Sequence, residues 1–284
     1  MRVLSLFDGI GCGRVALDRA GIAVSEYVAC EIDNDAITVA KSQHADIVHV
    51  GDVNYISADK NRFDLVIAGS PCQGFSRAGG GLAFHDARSV LYFEFLRIVN
   101  QVQPKYFMLE NVVMRKDCAA TISQSLGVEG RIINSDVVSA HNRPRMYWTN
   151  FEYEVRARTP PLTMNDIADV EDCTREVDWI RYPARRGRTR VQQVGHYGGN
   201  SQGQRLYSMA GTMPCIMANK TGGRKPAFLD TETGVKFPTV TMLERCQTLP
   251  DGYTKAVSKT AAIQAIGNGW TVDVVAQILK GTKA

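Results

Sequence analysis

The sequence predicts a doubly wound α/β protein with a mostly parallel sheet, joined to a smaller and irregular domain. Two observations carry this. Between residue 3 and about residue 149, short apolar runs that end in glycine or an acid alternate with segments of helical period. From about residue 152 the alternation fades into sequence rich in proline, arginine and glycine, and helical period returns only near residue 260. The expected division is therefore 1–151 with 239–284 for the sheet domain, and 152–238 for the smaller one.

In order, residues 3–6 (Val-Leu-Ser-Leu) form an apolar run closed by glycines, residues 15–20 read as a helix, and residues 27–30 form a second run that ends at Glu31. This is a β-α-β unit. The pattern continues with a helix near 35–43, a strand at 47–50 and a strong run at 65–68 that stops at Gly69. Residues 89–100 carry Val90, Leu91, Phe93, Leu96 and Val99 at helical spacing, followed by strands at 106–109, 131–133 and 146–149. Helical period at 260–266 and 272–279 suggests that the last segment packs back on the sheet domain.

A chain of 284 residues with 44% hydrophobic and 22% charged residues buries a sizeable core. No stretch approaches the roughly 18 apolar residues of a membrane span, and the opening run is too short for a signal peptide, so the expected location is the cytoplasm. Seven cysteines, at 12, 30, 72, 118, 173, 215 and 246, include no C-x-x-C pair, which argues against a disulfide framework or a zinc site. The net charge of +4 is a mild hint of a polyanionic partner. Its distribution says more. Arg175, Arg181, Arg185, Arg186, Arg188 and Arg190 stand against only Glu176 and Asp178, a concentration suited to phosphate contacts.

Three successive strand tips carry ligand-type residues. Phe7-Asp8-Gly9-Ile10-Gly11-Cys12-Gly13 opens the first helix, where glycines let a backbone approach a ligand closely. Glu31 suits a ribose diol, and Asp52, before Val53, suits the amino group of an adenine. Together they point to a nucleoside-type pocket. The fourth strand runs into Gly69-Ser70-Pro71-Cys72-Gln73-Gly74-Phe75-Ser76, which places a thiol at the carboxyl edge, where open α/β sheets keep their ligands. The fifth brings Glu110-Asn111-Val112 to the same edge, and partial burial of Glu110 would raise its pKa toward neutrality.

In this order the segments resemble the DNA (cytosine-5)-methyltransferase family of bacterial and phage type, over the whole chain except its middle region. That fold is Rossmann-like, with an irregular target-recognition domain. The turn at 7–13 looks like the cofactor motif, and Glu31, Asp52 and Val53 stand where the next cofactor-binding residues do. Pro71-Cys72 matches the catalytic Pro-Cys, and Glu110-Asn111-Val112 the Glu-Asn-Val motif. Arg143 and Arg145 match the two arginines of Gln-x-Arg-x-Arg, with His141 in place of Gln. Asp86, Arg88, Leu91 and Glu94 resemble the end of the mobile catalytic loop. The segment 244–251 resembles the motif that braces the recognition region, with Leu249 for its usual Phe and Lys236 for an Arg ahead of it. Asn268, between Gly267 and Gly269, is similar to the last motif, which closes the cofactor pocket. The sequence around Asp52, Ala140 and Trp270 also resembles the catalytic domains of animal de novo methyltransferases.

The resemblance implies S-adenosyl-L-methionine as cofactor, double-stranded DNA as partner, no metal, and a monomer whose genetic partner can be a restriction endonuclease. It implies that Cys72 adds to a flipped-out cytosine, that Glu110 holds the ring nitrogen and exocyclic amine, and that Arg143 or Arg145 holds the carbonyl oxygen. Phe7, Asp8, Gly9, Gly11, Gly13, Glu31, Asp52, Val53, Pro71, Leu91 and Asn268 would hold the cofactor. Gln73, Ser76, Arg88, Arg185, Arg186, Arg188, Arg190 and Arg205 would contact DNA. A tRNA cytosine methyltransferase and a DNA-binding regulator without catalysis are the alternatives. A generic oxidoreductase is disfavoured, because the first turn lacks G-x-G-x-x-G spacing.

Overall fold

The computed structural model describes residues 1–70, 90–173, 178–181, 183, 190–198, 202–218 and 228–283. The chain divides into two compact units: Met1–Ile133, Pro144–Val155 and Val272–Ala284 form the first, Asn134–Arg143 and Arg156–Thr271 the second.

The first unit contains β1 (Arg2–Leu6), α1 (Cys12–Ala20), β2 (Glu26–Cys30), α2 (Asn34–Gln43), β3 (Ile47–Gly51), β4 (Leu65–Gly69), α3 (Val90–Val102), β5 (Tyr106–Val112), α4 (Lys116–Leu126), β6 (Arg131–Asn134) and β7 (Pro144–Thr149). The strand order is β3-β2-β1-β4-β5-β7-β6. The pairs from β3 to β5 are parallel, and β7 runs antiparallel to β5. Strand order reverses between β1 and β4, so the carboxyl ends of these two strands flank the crevice where such sheets take ligands.

Burial explains the elements. All four residues Leu65–Ala68 of β4 are buried, as expected of a central strand covered on both faces. On α3 the buried residues are Tyr92, Phe95, Ile98 and Val102, whereas Phe93 is 44% exposed. The helix expected from the sequence is present, but its buried face is turned from the one that Val90, Phe93, Leu96 and Val99 suggest. An apolar residue on nearly every face leaves the helical phase open until the sheet is in place. One core joins β1, β4, β5 and β7 to α3 and α4 through Leu4, Val66, Phe95, Phe107, Leu109, Ile122 and Trp148. The Trp148 ring lies where a Cβ on Gly130 would come within 2.5 Å of it, so Gly130 admits no side chain.

The second unit holds β8 (Val170–Asp172), β9 (Ile180–Arg181), β10 (Gln193–His196), β11 (Arg205–Ser208), β12 (Phe228–Thr231) and β13 (Gly234–Pro238), in the order β8-β13-β12-β11-β10-β9. The region expected to be irregular thus carries a six-stranded sheet. Its strands are two to five residues long, too short for a period-2 pattern to stand out. Both faces are covered. Tyr207 and Leu229 join Met164, Met242 and Leu243 on one face, and Leu206 and Phe228 join Phe237, Trp179 and Tyr197 on the other.

The helices α5 (Val240–Cys246) and α6 (Lys259–Asn268) also belong to the second unit, because Met242, Leu243, Cys246 and Ile266 share its core. Only α7 (Val272–Leu279) returns to the first unit, where it packs on α1 and Asp273 pairs with Arg19 at 2.7 Å. The chain therefore rejoins the sheet unit at Val272 rather than at residue 239. No helix among the described residues is long and apolar enough to cross a membrane.

Candidate active site

The turn after β1 is built from unusual backbone. Phe7 has φ 57°, Gly9 φ 62° and Gly11 φ 79°. A left-handed phenylalanine is disfavoured, and such strain concentrates where a turn serves a ligand. Two bonds tie the turn to the tip of β2: the Asp8 N–H donates to the Cys30 carbonyl at 3.0 Å, and the Gly9 N–H to Glu31 Oε2 at 2.8 Å. The N–H groups of Ile32 and Asp33 donate to Glu31 Oε1 at 2.8 and 2.9 Å, so this carboxylate is fixed in place from both sides. A Cβ built on Gly9 meets nothing within 4 Å, so open space lies before the turn.

Asp52 caps the short turn that follows β3, accepting from the Asn54 backbone N–H at 2.9 Å and from Asn54 Nδ2 at 2.8 Å. Val53 is buried in the first core, and Arg97 on α3 holds this turn through the carbonyls of Val53 and Ile56 at 3.2 and 3.0 Å. Ile32, which the sequence reading passed over, is 71% exposed directly after Glu31. The available signal was an apolar residue continuing past the acid that ends the strand. Hydroxyl-accepting carboxylates, an exposed apolar side chain and an open glycine turn fit a nucleoside-bearing cofactor.

Asp8 is buried beneath the turn. Tyr27 donates its hydroxyl to Asp8 Oδ1 at 2.6 Å, and Asp8 Oδ2 has no partner among the described residues. Burial pushes the Asp8 carboxyl up to about 6, the Ser5 and Tyr27 hydroxyls oppose the shift, and Glu31 adds to it. Burial likewise pushes the Cys30 thiol up to about 12, which makes it an inert core cysteine.

At the ends of β4 and β5 a second group assembles. Register places Gly69 beside Glu110, and Val112 opposite Arg145. Glu110 and Val112 share a face, so Glu110 and Arg145 are diagonal neighbours across the antiparallel pair. Arg145 Nε lies 3.0 Å from Glu110 Oε1, with both side chains nearly buried. Asn111 Nδ2 donates to Ser70 Oγ at 2.8 Å, again between buried side chains. The last described residue before the Pro71-Cys72 segment is thus tied to the strand that carries the carboxylate.

Arg143 does something else. Its Nη2 donates to the carbonyls of Gly267 and Gly269, each at 2.9 Å, and Nη1 to that of Ile216 at 3.4 Å. The Arg143 guanidinium thus meets backbone carbonyls, whereas that of Arg145 meets the Glu110 carboxylate. His141 is buried and accepts the Ile216 N–H on Nε2 at 3.2 Å, a bond that the amide oxygen of a Gln can also accept.

Among the other residues singled out from the sequence, Gly13 lies buried inside α1 and Leu91 packs, partly buried, against the first core. Asn268 is exposed between buried Gly267 and Gly269. Arg190 is partly buried, and its Nη1 donates to the Asp136 carbonyl at 3.2 Å and its Nη2 to that of Leu162. It braces backbone, whatever else it meets. Arg205 is half-buried on β11 opposite His196. Glu244 is buried and closes the loop that follows α5, accepting from the backbone N–H groups of Gly252 and Thr254 at 2.7 Å each. Pro71, Cys72, Gln73, Ser76, Arg88, Arg185, Arg186 and Arg188 lie outside the described residues.

A doubly wound sheet with acids and glycines at three successive strand tips, and a buried Glu110–Arg145 pair at the fifth, defines the class: an α/β protein whose candidate site lies at the carboxyl edge of the sheet. Residues 1–126 match the family described as C-5 cytosine-specific DNA methylase. The chain is 39% identical over 115 residues to the orphan methyltransferase M.SPRI of Bacillus phage SPR, a match covering 39% of this chain and 26% of that protein. It is 27% identical over 307 residues to the type II methyltransferase M.NlaX of Neisseria lactamica, covering 100% and 96%. The chain thus spans about a quarter of the phage relative and nearly all of the Neisseria one. The structure of the S. pombe Dnmt2 methyltransferase superposes with a TM-score of 0.68 at 17% identity, over 98% of this chain and 97% of that one, a likeness of fold. Residues 1–126 are thus similar to that family, and the likeness to the Neisseria protein extends along the whole chain at 27% identity.

Proposed function

We propose that the chain transfers a methyl group from S-adenosyl-L-methionine to carbon 5 of a flipped-out cytosine in duplex DNA, through a transient covalent bond to Cys72. The observation that carries this reading is the Glu110–Arg145 pair at 3.0 Å, beside the strand that runs through Ser70 into Pro71-Cys72. The family match over residues 1–126 supports it.

Phe7, Asp8, Gly9, Gly11, Gly13, Glu31, Asp52, Val53, Pro71, Leu91 and Asn268 hold the cofactor, with Glu31 on the ribose hydroxyls, Asp52 on the adenine amino group and Ile32 against the base. When bound, S-adenosylmethionine supplies an electrophilic methyl group. The Cys72 thiolate adds to ring carbon 6 of the cytosine, and the electron pair moves to carbon 5, which becomes nucleophilic. Glu110 hydrogen-bonds the ring nitrogen and exocyclic amine as charge develops. Arg145 holds the carbonyl oxygen and keeps Glu110 oriented. Once carbon 5 carries its new substituent, water removes the proton there and Cys72 leaves. The base must leave the stack, at a cost of a few kcal/mol. Gln73, Ser76, Arg88, Arg185, Arg186, Arg188, Arg190 and Arg205 contact the DNA.

Incubation with cofactor labelled in its methyl group and either duplex DNA or tRNA tests the substrate. Label in DNA that disappears in Cys72→Ala is expected. Label confined to tRNA, or undiminished transfer by Cys72→Ala, refutes the reading. Bisulfite sequencing of DNA from expressing cells then gives the target site.

A further inference from the structure

The last carbonyls of an α-helix have no partners within it. At the end of α6 the carbonyls of Ile266, Gly267 and the capping Gly269 lie on either side of Asn268; the Gly269 N–H reaches that of Ile266 at 3.2 Å, and two side chains from elsewhere in the second unit reach all three. Arg143 Nη2 bridges the carbonyls of Gly267 and Gly269 at 2.9 Å each. Gln247 Nε2 donates to those of Ile266 and Gly269 at 2.9 and 3.1 Å. Gln247 is itself oriented, because Thr271 Oγ1 donates to its Oε1 at 2.7 Å, and the Thr271 hydroxyl lies 2.7 Å from that of Ser135. Arg143, Gln247, Thr271 and Ser135 are all at least 97% buried.

The turn is confined on another side as well. A Cβ on Gly267 would come within 2.7 Å of the Ala218 backbone nitrogen, so the chain at 217–218 lies directly against it. Within this enclosed backbone Asn268 is the exposed residue. Burying a guanidinium is costly unless its hydrogen bonds are made, and here they converge on the two peptide groups flanking one exposed amide.

We propose that Arg143 and Gln247 are positioning residues for the cofactor: together they fix the backbone on both sides of Asn268, so that its side chain meets S-adenosylmethionine already oriented. The proposal rests on the reading that Asn268 contacts the cofactor. Arg143 therefore acts through the turn and not on the cytosine.

The test uses the full chain and measures equilibrium binding of S-adenosylmethionine by calorimetry, binding of duplex DNA by anisotropy, and thermal unfolding. Arg143→Lys keeps the charge but cannot fork to two carbonyls. Gln247→Met keeps the volume and removes the amide. Each is expected to weaken cofactor binding about tenfold, the worth of one or two hydrogen bonds, with DNA affinity much less changed. In an Asn268→Ala background the same substitutions should add little further loss. A lowered Tm with unchanged cofactor affinity, or a full additional loss in the Asn268→Ala background, overturns the positioning role. Asn268→Ala with wild-type cofactor affinity overturns the assignment of Asn268 itself, a separate outcome.

Discussion

Asp8→Asn should make the protein more stable at pH 8 and leave its stability at pH 4 nearly unchanged. The Asp8 carboxyl rises from 3.8 to about 6 on folding, mainly because burial penalises its charge. A carboxyl whose folded pKa is raised favours the native state fully below the unfolded pKa, and that contribution is lost as pH climbs through the folded one. The window is therefore about pH 4 to 6. Two pKa units at 1.36 kcal/mol each correspond to roughly 3 kcal/mol of penalty carried by the ionised group at neutral pH. Asparagine keeps an oxygen for the Tyr27 hydroxyl and carries no charge, so it relieves that penalty less whatever its amide hydrogens fail to find. Urea unfolding of both proteins at half-unit steps from pH 4 to 8 gives the difference directly. It should open between pH 4 and 6 and stay flat above 7. A constant offset across the range, or a gap that widens toward acid, refutes burial of the charge as the dominant cause.

Other substitutions separate chemistry from support. Glu110→Gln should lower kcat by roughly 10²- to 10³-fold in single-turnover assays while cofactor affinity is retained; a wild-type rate would remove Glu110 from the mechanism. Arg145→Met takes the guanidinium away from the buried Glu110 carboxylate, so chemical denaturation should show a loss of up to about 3–5 kcal/mol, with much of it recovered in the Glu110→Gln, Arg145→Met double variant. Without that recovery, the 3.0 Å pair is not the source of the loss. Asn111→Ala strands Ser70 Oγ and should cost about 1–3 kcal/mol, and the same substitution should cost less in a Ser70→Ala background; equal losses in the two backgrounds would speak against the Asn111–Ser70 bond. Gly267→Ala raises helix propensity yet drives a Cβ toward Ala218, so Tm should fall rather than rise.

Much of the first unit was legible because its strands and helices are local and punctuated. The run at 65–68 is apolar throughout and stops at glycine, and its four residues are the buried part of β4. The second unit was not legible in the same way. Its sheet pairs Val170–Asp172 with Gly234–Pro238, more than sixty residues apart, and no local pattern announces such a pairing. Asp8 was read as a member of a glycine turn; its burial against Tyr27 depends on where β2 lies, which the turn does not encode.

Residue types and their order along the chain determined the α/β class, the acids at the tips of β2 and β3, the position of Glu110 at the end of β5, and the family resemblance, because each rests on local spacing. Only the tertiary structure separated Arg143 from Arg145. The two stand two residues apart in one motif and look equivalent as letters. Strand register places Arg145 across from Val112 and within 3.0 Å of Glu110, while the chain just before β7 turns Arg143 into the carbonyls at the end of α6. The physical reason is that a guanidinium's role is set by the acceptors within reach, and these come from residues 35 and more than 120 positions away along the chain.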